Sequence, residues 1–146
     1  MKSQDSFWYS MVDGIVYPQF VTEEKVNTIL TRFKTRNEDI FFVCYIKSGS
    51  TWLKQILLLL NHQGNQPNLN MMAAFPWLEL CLPPCPDPAR EHSYEYIESL
   101  PSPRILTFYG WPHLTPEGLP NTKYIFLLRN PKDVGDESIL GITRED

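Results

Sequence analysis

The sequence holds few of the residues that would indicate a secreted or metal-binding protein. It has only three cysteines, Cys44, Cys81 and Cys85, which is too few for a disulfide framework. Its three histidines stand at no spacing from these cysteines that is typical of a zinc site. We therefore expect neither disulfides nor a bound metal.

A surplus of positive charge and a long apolar run are also missing. The 146 residues carry a formal net charge of −4, which gives no reason to expect nucleic acid or an anionic membrane as a partner. The longest apolar run, Ile56–Leu60, is far too short to cross a bilayer, and residues 1–10 contain no apolar signal core. These absences predict a soluble protein of the reducing cytoplasm.

The pattern that is present is typical of an α/β domain. Thr22 is placed to cap an amphipathic helix, with Glu23 and Glu24 near its positive N-terminal end. One buried face is predicted for this helix, formed by Val26, Ile29, Leu30 and Phe33.

Strand candidates alternate with helix candidates in the rest of the chain. Residues 39–46 form a continuous apolar run, as expected for a strand covered on both faces of a parallel sheet. A helix over 51–62, apolar on nearly all sides, should end near Gly64. Two further strands are predicted, over 104–109 and 123–128, and a short helix capped by Ser93 precedes them. Residues 1–20 predict an irregular lead-in.

The junction between the first of these strands and its helix reads Lys-Ser-Gly-Ser-Thr, residues 47–51. A helix N-terminus offers unpaired N–H groups and a partial positive charge, and Gly49 allows close approach of a phosphate. The hydroxyl groups and Lys47 add donors and a full charge. This pattern predicts a phosphate-binding loop; the structural alternative is a polar helix cap with a solvent-exposed lysine.

Two observations indicate which class of anionic ligand the loop would bind. The Walker A loop of nucleoside triphosphatases needs a glycine directly before its lysine and another five residues earlier. Lys47 has neither, so a kinase-like protein is disfavoured. Arg129 follows the last predicted strand, where ligands bind in open α/β sheets, and arginine is suited to phosphate. Taken alone, Arg129 would be a surface residue paired with Asp133. Together with the loop it predicts a ligand with two separated anionic groups.

The segments Tyr-Ile-Lys-Ser-Gly-Ser-Thr-Trp, 45–52, and Arg-Asn-Pro-Lys-Asp-Val, 129–134, resemble the two cofactor motifs of the cytosolic sulfotransferases. Residues 13–134 are similar to the N-terminal half of that domain, with 1–12 as a lead-in and 135–146 as a divergent tail. The resemblance implies a three-layer P-loop-type α/β fold with a central parallel sheet, here truncated. It also implies 3′-phosphoadenosine 5′-phosphosulfate as the sulfuryl donor, with no metal.

The resemblance also implies a role for each residue of the two motifs. Lys47 would stabilise the charge that develops on the leaving phosphate, and Arg129 would bind the 3′-phosphate. Trp52 would stack on adenine. The 5′-phosphate would be held by Ser48, Gly49, Ser50 and Thr51. The acceptor would be a small hydrophobic phenol, alcohol or amine, in a pocket lined by Phe75, Pro76 and Trp77.

Three departures from the family pattern bear on activity. Tyr109 stands where the family has its catalytic histidine, and His113, four residues later, becomes the candidate base if its loop folds back. Glu137 stands where the family has a phosphate-binding serine, with Ser138 one place late. The family's C-terminal half, including its usual dimer motif, is expected to be absent. The alternative to an enzyme is therefore a non-catalytic half-domain that binds the nucleotide or a partner chain.

Overall fold

The computed structural model describes residues 9–68, 70–80, 94–109 and 115–134. In chain order its strands are β1 (Tyr9–Val12), β2 (Ile15–Pro18), β3 (Ile40–Cys44), β4 (Ile105–Phe108) and β5 (Lys123–Leu127). Its helices are α1 (Glu23–Arg32), α2 (Ser50–Asn61), α3 (Met71–Ala74) and α4 (Tyr94–Ser99), with a 3-10 turn at Leu78–Leu80. A further helical turn covers 131–134. Within this described part of the chain, no helix is long and apolar enough to cross a membrane.

The centre of the fold is a parallel sheet with β3 in the middle, in the order β4-β3-β5. Ile40 is level with Ile105 of β4 and with Lys123 of β5, so the three strands begin at one edge and end at the other. The three predicted strands are confirmed and are slightly shorter than expected. Their carboxyl ends, where ligands bind in open α/β sheets, lie side by side.

Helices cover both faces of the sheet. The side chains of β3 point alternately to one face and to the other. Phe41 and Val43 pack in a core with Val26 and Ile29 of α1. Phe42 and Cys44 point the other way and pack in a second core with Leu58 of α2. The expected three-layer architecture with a central parallel sheet is confirmed.

Helix α1 begins and is buried as its sequence predicts. The hydroxyl of Thr22 accepts a hydrogen bond from the Lys25 amide at 3.3 Å, which satisfies one of the free N–H groups of the first turn. Val26, Ile29 and Phe33 are buried, and Leu30 is half-buried beside them.

The expectation of an irregular lead-in was wrong for residues 9–18. Strands β1 and β2 form an antiparallel hairpin, with Val12 opposite Ile15. The two turn residues, Asp13 and Gly14, have φ of 50° and 74°, as the two-residue turns that match strand twist require. An Asp-Gly pair between apolar runs is the signal that predicts such a hairpin. Residues 1–8 and the tail 135–146 lie outside the described residues.

Helix α2 is less covered than its composition predicts. Only Lys54 and Leu58 of this helix are buried, and Leu60 is 70% exposed. One face packs on the sheet through Leu53, Leu57 and Leu58, while the opposite side meets little else in the described part of the chain. The predicted end is confirmed, because the Gly64 amide donates to the Leu59 carbonyl at 2.7 Å and Gly64 has φ 83°.

A buried ion pair joins the amino ends of β3 and β4. The Arg104 guanidinium donates from Nε to Asp39 Oδ1 at 2.8 Å and from Nη2 to Asp39 Oδ2 at 2.6 Å. Both side chains are fully buried. Arg104 also donates to the carbonyl oxygens of Ile97 and Lys34, so this pair ties helix α4 and the segment after α1 to the sheet.

Candidate active site

The loop between β3 and α2 makes a sharp turn at the carboxyl edge of the sheet. Gly49, the N-cap of α2, has φ 101° and ψ 22°, and Lys47 has φ 60°. Two left-handed residues so close together reverse the chain, and the larger φ of Gly49 is one that residues with a Cβ rarely adopt. Residues 47–51, called the cradle below, therefore surround the open end of α2.

Several backbone amides at the start of α2 have no hydrogen-bond acceptor within the helix. The first hydrogen bond of α2 runs from the Leu53 amide to the Gly49 carbonyl at 3.2 Å, so the amides of 50–52 have no acceptor within the helix. Lys47 and Thr51 are exposed, whereas Ser48 is buried. Free amides, a partial positive charge and an exposed lysine are the components of an anion site. Trp52 is 73% exposed beside it, which leaves its ring faces accessible to a planar ligand.

The second predicted motif meets the cradle. Arg129, two residues after β5, donates from Nη1 to the carbonyl oxygen of Lys47 at 3.2 Å, and its side chain is exposed. These residues are 82 positions apart in sequence and are brought together because β5 is the parallel neighbour of β3. Two cationic side chains thus border one end of the sheet.

Tyr109 closes the cradle on the other side. It follows β4 directly, its hydroxyl lies 3.4 Å from Ser50 Oγ, and its ring centroid lies 4.3 Å from that of Trp77. Burial, together with the nearby Cys44 thiol, raises the pKa of Tyr109 to about 12. The phenol is therefore neutral at physiological pH and can donate a hydrogen bond but is a poor base. His113, Glu137 and Ser138 lie outside the described residues.

Sequence reasoning missed a buried polar group behind the cradle. It consists of Cys44, Lys54, Glu79 and Tyr109, called the inner cluster below. The Tyr109 amide donates to Glu79 Oε1 at 2.7 Å, and Lys54 Nζ lies 5.8 Å from the centroid of the Tyr109 ring. The available signal was a single charged residue within each of two apolar stretches, Leu53–Leu60 and Trp77–Leu80.

Burial dominates the electrostatics of this cluster. It lowers the pKa of Lys54, raises that of Glu79 to about 8 and raises that of the Cys44 thiol to about 12. In each case the cost of desolvating the charged form outweighs hydrogen bonds and neighbouring charges. At neutral pH the thiol, the phenol and the larger part of the carboxyl group are consequently uncharged.

The residues expected to line an acceptor pocket divide into two kinds. Phe75 is buried in the core beneath α2, and the Pro76 carbonyl accepts a hydrogen bond from the Thr107 amide at 2.8 Å, so both serve the packing of the sheet. Trp77 contacts Tyr109 and also Phe20, edge to face at 5.4 Å. Of the three, Trp77 is the residue that reaches the cradle's neighbourhood. Among the described residues no group of three or more His, Cys, Asp or Glu side chains is arranged to hold a metal.

Comparisons with known proteins converge on one family. The sequence model of the sulfotransferase domain matches residues 37–135. The 3-beta-hydroxysteroid sulfotransferase of Cavia porcellus is 28% identical over 138 residues, which cover 90% of this chain and 44% of that protein. The amine sulfotransferase of Oryctolagus cuniculus is 31% identical over 126 residues, which cover 83% of this chain and 38% of that protein.

A solved structure shares the fold. Mouse sulfotransferase SULT7A1, crystallised with PAP, superposes with a TM-score of 0.60 at 23% identity, over 90% of this chain and 43% of that chain. The P-loop-type α/β fold is therefore confirmed over the region compared. The chain spans less than half the length of these relatives.

Proposed function

The chain belongs to the sulfotransferase domain family, and on this premise we propose that it binds 3′-phosphoadenosine 5′-phosphosulfate with the cradle and Arg129. The observation that carries the proposal is the contact between Arg129 and the Lys47 carbonyl. It joins, at one edge of the sheet, the two segments that resemble the family's cofactor motifs. A ligand with two separated phosphates needs two such cationic positions.

Each residue has a distinct part in holding the nucleotide. The free amides of 50–52, with the hydroxyls of Ser48, Ser50 and Thr51, hold the 5′-phosphate end. Arg129 binds the 3′-phosphate, for which its guanidinium is suited. The exposed ring of Trp52 stacks on adenine. These groups fit the nucleotide, because the amides lack helical acceptors and the charged side chains face solvent.

The proposed reaction is transfer of the sulfuryl group to a small hydrophobic alcohol, phenol or amine, without metal, nucleic acid or membrane partners. The donor supplies an activated sulfuryl group with a phosphate as leaving group. Lys47 stabilises the negative charge that develops on that phosphate, since catalysis of such loose transfers consists mainly of positioning and charge stabilisation. His113 is the proposed base, because the phenol of Tyr109 holds its proton at neutral pH.

The acceptor class follows from the relatives and from Trp77. Two relatives are named for a hydroxysteroid and for amines as acceptors. Trp77 presents an apolar ring beside Tyr109 at the edge of the cradle. A cytoplasmic location is part of the same proposal and agrees with Cys44 being a free thiol.

Non-catalytic nucleotide binding is the second candidate function. The observation in its favour is the pKa of about 12 at Tyr109, the residue that the resemblance aligns with the family's histidine. A phenol with that pKa cannot accept the acceptor's proton near neutral pH. The two candidates share the nucleotide site and differ only in turnover.

Calorimetric titration with adenosine 3′,5′-bisphosphate tests the nucleotide site. We expect Lys47→Ala to bind about 10- to 100-fold more weakly, the usual effect of losing one charged hydrogen bond to phosphate. Lys123→Ala is the matched control, because Lys123 is also exposed but begins β5 at the opposite edge of the sheet. Far-UV circular dichroism should be unchanged in both variants. Equal affinity of the two variants, or preference for ATP with Mg²⁺, would remove the assignment.

A transfer assay separates the two candidate functions. The full chain is incubated with the sulfonated nucleotide and, in turn, a hydroxysteroid, a phenol and an amine, and sulfated product is measured. Turnover that His113→Ala abolishes would establish the enzyme and its base. If the chain binds nucleotide but is inactive, and Tyr109→His produces activity, the non-catalytic reading is correct and the missing base is its cause.

A further inference from the structure

Tyr109 lies against the cradle and is anchored through both its backbone and its ring. Its amide donates to Oε1 of the buried Glu79 carboxyl group at 2.7 Å, which fixes the backbone where β4 ends. Its ring packs against Trp77, with the two ring centroids 4.3 Å apart. These two anchors leave the phenol little freedom, so its hydroxyl is held beside the first residue of α2.

That first residue, Ser50, is the hydrogen-bonding neighbour of the phenol within the cradle. The two hydroxyl oxygens are 3.4 Å apart, although the residues are 59 positions apart in sequence. Ser50 is half-buried, and its amide has no acceptor within the helix. The phenol therefore contacts the proposed phosphate site through the Ser50 side chain.

The distance allows either hydroxyl to donate, and the chemistry of the two groups decides between them. Tyrosine holds its proton at neutral pH, and a phenol is more acidic than an aliphatic alcohol, so Tyr109 is the stronger donor. The Cys44 thiol is a further hydrogen-bonding neighbour of both hydroxyls. Sulfur is a weak acceptor, however, so the Ser50 oxygen is the better partner for the proton of the phenol.

We propose that Tyr109 is a positioning residue of the nucleotide site: its hydroxyl donates to Ser50 Oγ, which leaves the Ser50 proton to be donated to the 5′-phosphate in the cradle. A serine hydroxyl has a single proton, and a donor on its oxygen directs that proton to another acceptor. A hydroxyl that accepts one hydrogen bond also donates the next more strongly, because the bonds polarise one another. This inference rests on the proposed function. It gives the residue aligned with the family's histidine a part in binding rather than in proton transfer.

A double-mutant cycle on nucleotide affinity tests this role. Adenosine 3′,5′-bisphosphate is titrated by calorimetry into the full chain, Tyr109→Phe, Ser50→Ala and the double variant. Ser50→Ala should bind about tenfold more weakly, the effect of losing one hydrogen bond to a charged group, and Tyr109→Phe about three- to tenfold more weakly. The double variant should bind no more weakly than Ser50→Ala, because Tyr109 acts on the phosphate only through Ser50.

The substitutions are chosen to leave the fold intact. Each removes a single oxygen atom, and phenylalanine keeps the ring that packs against Trp77, so the far-UV circular dichroism spectrum should be unchanged in all variants. Tyr124→Phe is the matched control, because the Tyr124 hydroxyl donates to the Pro116 carbonyl at 2.8 Å. Tyr124 is level with Phe41, near the start of β3 and away from the cradle. This control should bind the nucleotide like the unmodified chain.

The outcomes separate this inference from the proposed function. If the unmodified chain binds and Lys47→Ala weakens binding, but Tyr109→Phe binds like the unmodified chain, the role of Tyr109 is overturned while the proposed function stands. Equal weakening by Tyr109→Phe with and without the Ser50 hydroxyl leads to the same conclusion, because additive effects would mean that Tyr109 does not act through Ser50. If the unmodified chain does not bind the nucleotide, both are overturned.

Discussion

Replacing Glu79 with glutamine should flatten the pH dependence of the free energy of unfolding between about pH 4.5 and 8. The Glu79 side chain is fully buried; Oε1 accepts the Tyr109 amide, and Oε2 has no hydrogen-bond partner in the described part of the chain. Burial raises the pKa of this carboxyl from 4.5 to about 8, against smaller opposite effects of hydrogen bonds and of Lys54. Glutamine keeps an acceptor for the Tyr109 amide and carries no proton to lose.

The sign and size of the effect follow from these two values. Below pH 4.5 both the folded and the unfolded chain hold the proton, so stability is unaffected. As pH rises to about 8, the unfolded chain releases the proton while the folded chain retains it, which favours unfolding. The two pKa values differ by about 3.5, and each pKa unit corresponds to about 1.4 kcal/mol, so up to about 5 kcal/mol of stability is lost across this range. That is comparable to the whole stability of a marginal domain.

The assay is urea unfolding at pH 5 and pH 8, followed by circular dichroism. We expect Glu79→Gln to gain stability relative to the unmodified chain on going from pH 5 to pH 8, by several kcal/mol. Glu95→Gln serves as the matched control, because Glu95 is exposed on α4. Parallel pH profiles for the unmodified chain and Glu79→Gln would refute the reasoning and would mean that Glu79 is solvated or ion-paired in solution.

Three further predictions concern the stability of the fold and the accessibility of a thiol. Arg104→Met should lower the free energy of unfolding in urea by about 3–5 kcal/mol, because Asp39 stays buried without its partner. Adding Asp39→Asn should recover part of this loss, and no recovery would contradict the pairing. Gly49→Ala should lower the free energy of unfolding by about 1–3 kcal/mol, since φ 101° strains any residue with a Cβ although the space around it is open. An unchanged midpoint of urea unfolding would show that the loop adapts. Cys44, with a pKa of about 12, should resist alkylation at pH 8 until urea is added, as measured by peptide mapping; equal rates with and without urea would mean that the thiol is accessible.

Features that depend on short stretches of chain were predictable. The cap at Thr22, the strand at β3 and the sharp turn at Gly49 each follow from neighbouring residues, because local propensity and local hydrogen bonds decide them. The hairpin at 9–18 belongs to the same class, because its Asp-Gly turn is a local signal. The two segments that resemble the family's cofactor motifs could likewise be recognised from sequence, since each is continuous.

Other features required the strands to be placed beside one another. Arg129 meets Lys47 only because β5 pairs with β3, and Tyr109 meets Ser50 only because β4 pairs with its other edge. Lys54 and Glu79 each stand alone in an apolar stretch, but the sequence does not reveal that the sheet buries them together. By itself the sequence determined which segments form helices, strands and the sharp polar turn between β3 and α2. Tertiary structure alone decided which charges lost their water, because desolvation depends on contacts between residues far apart in the chain.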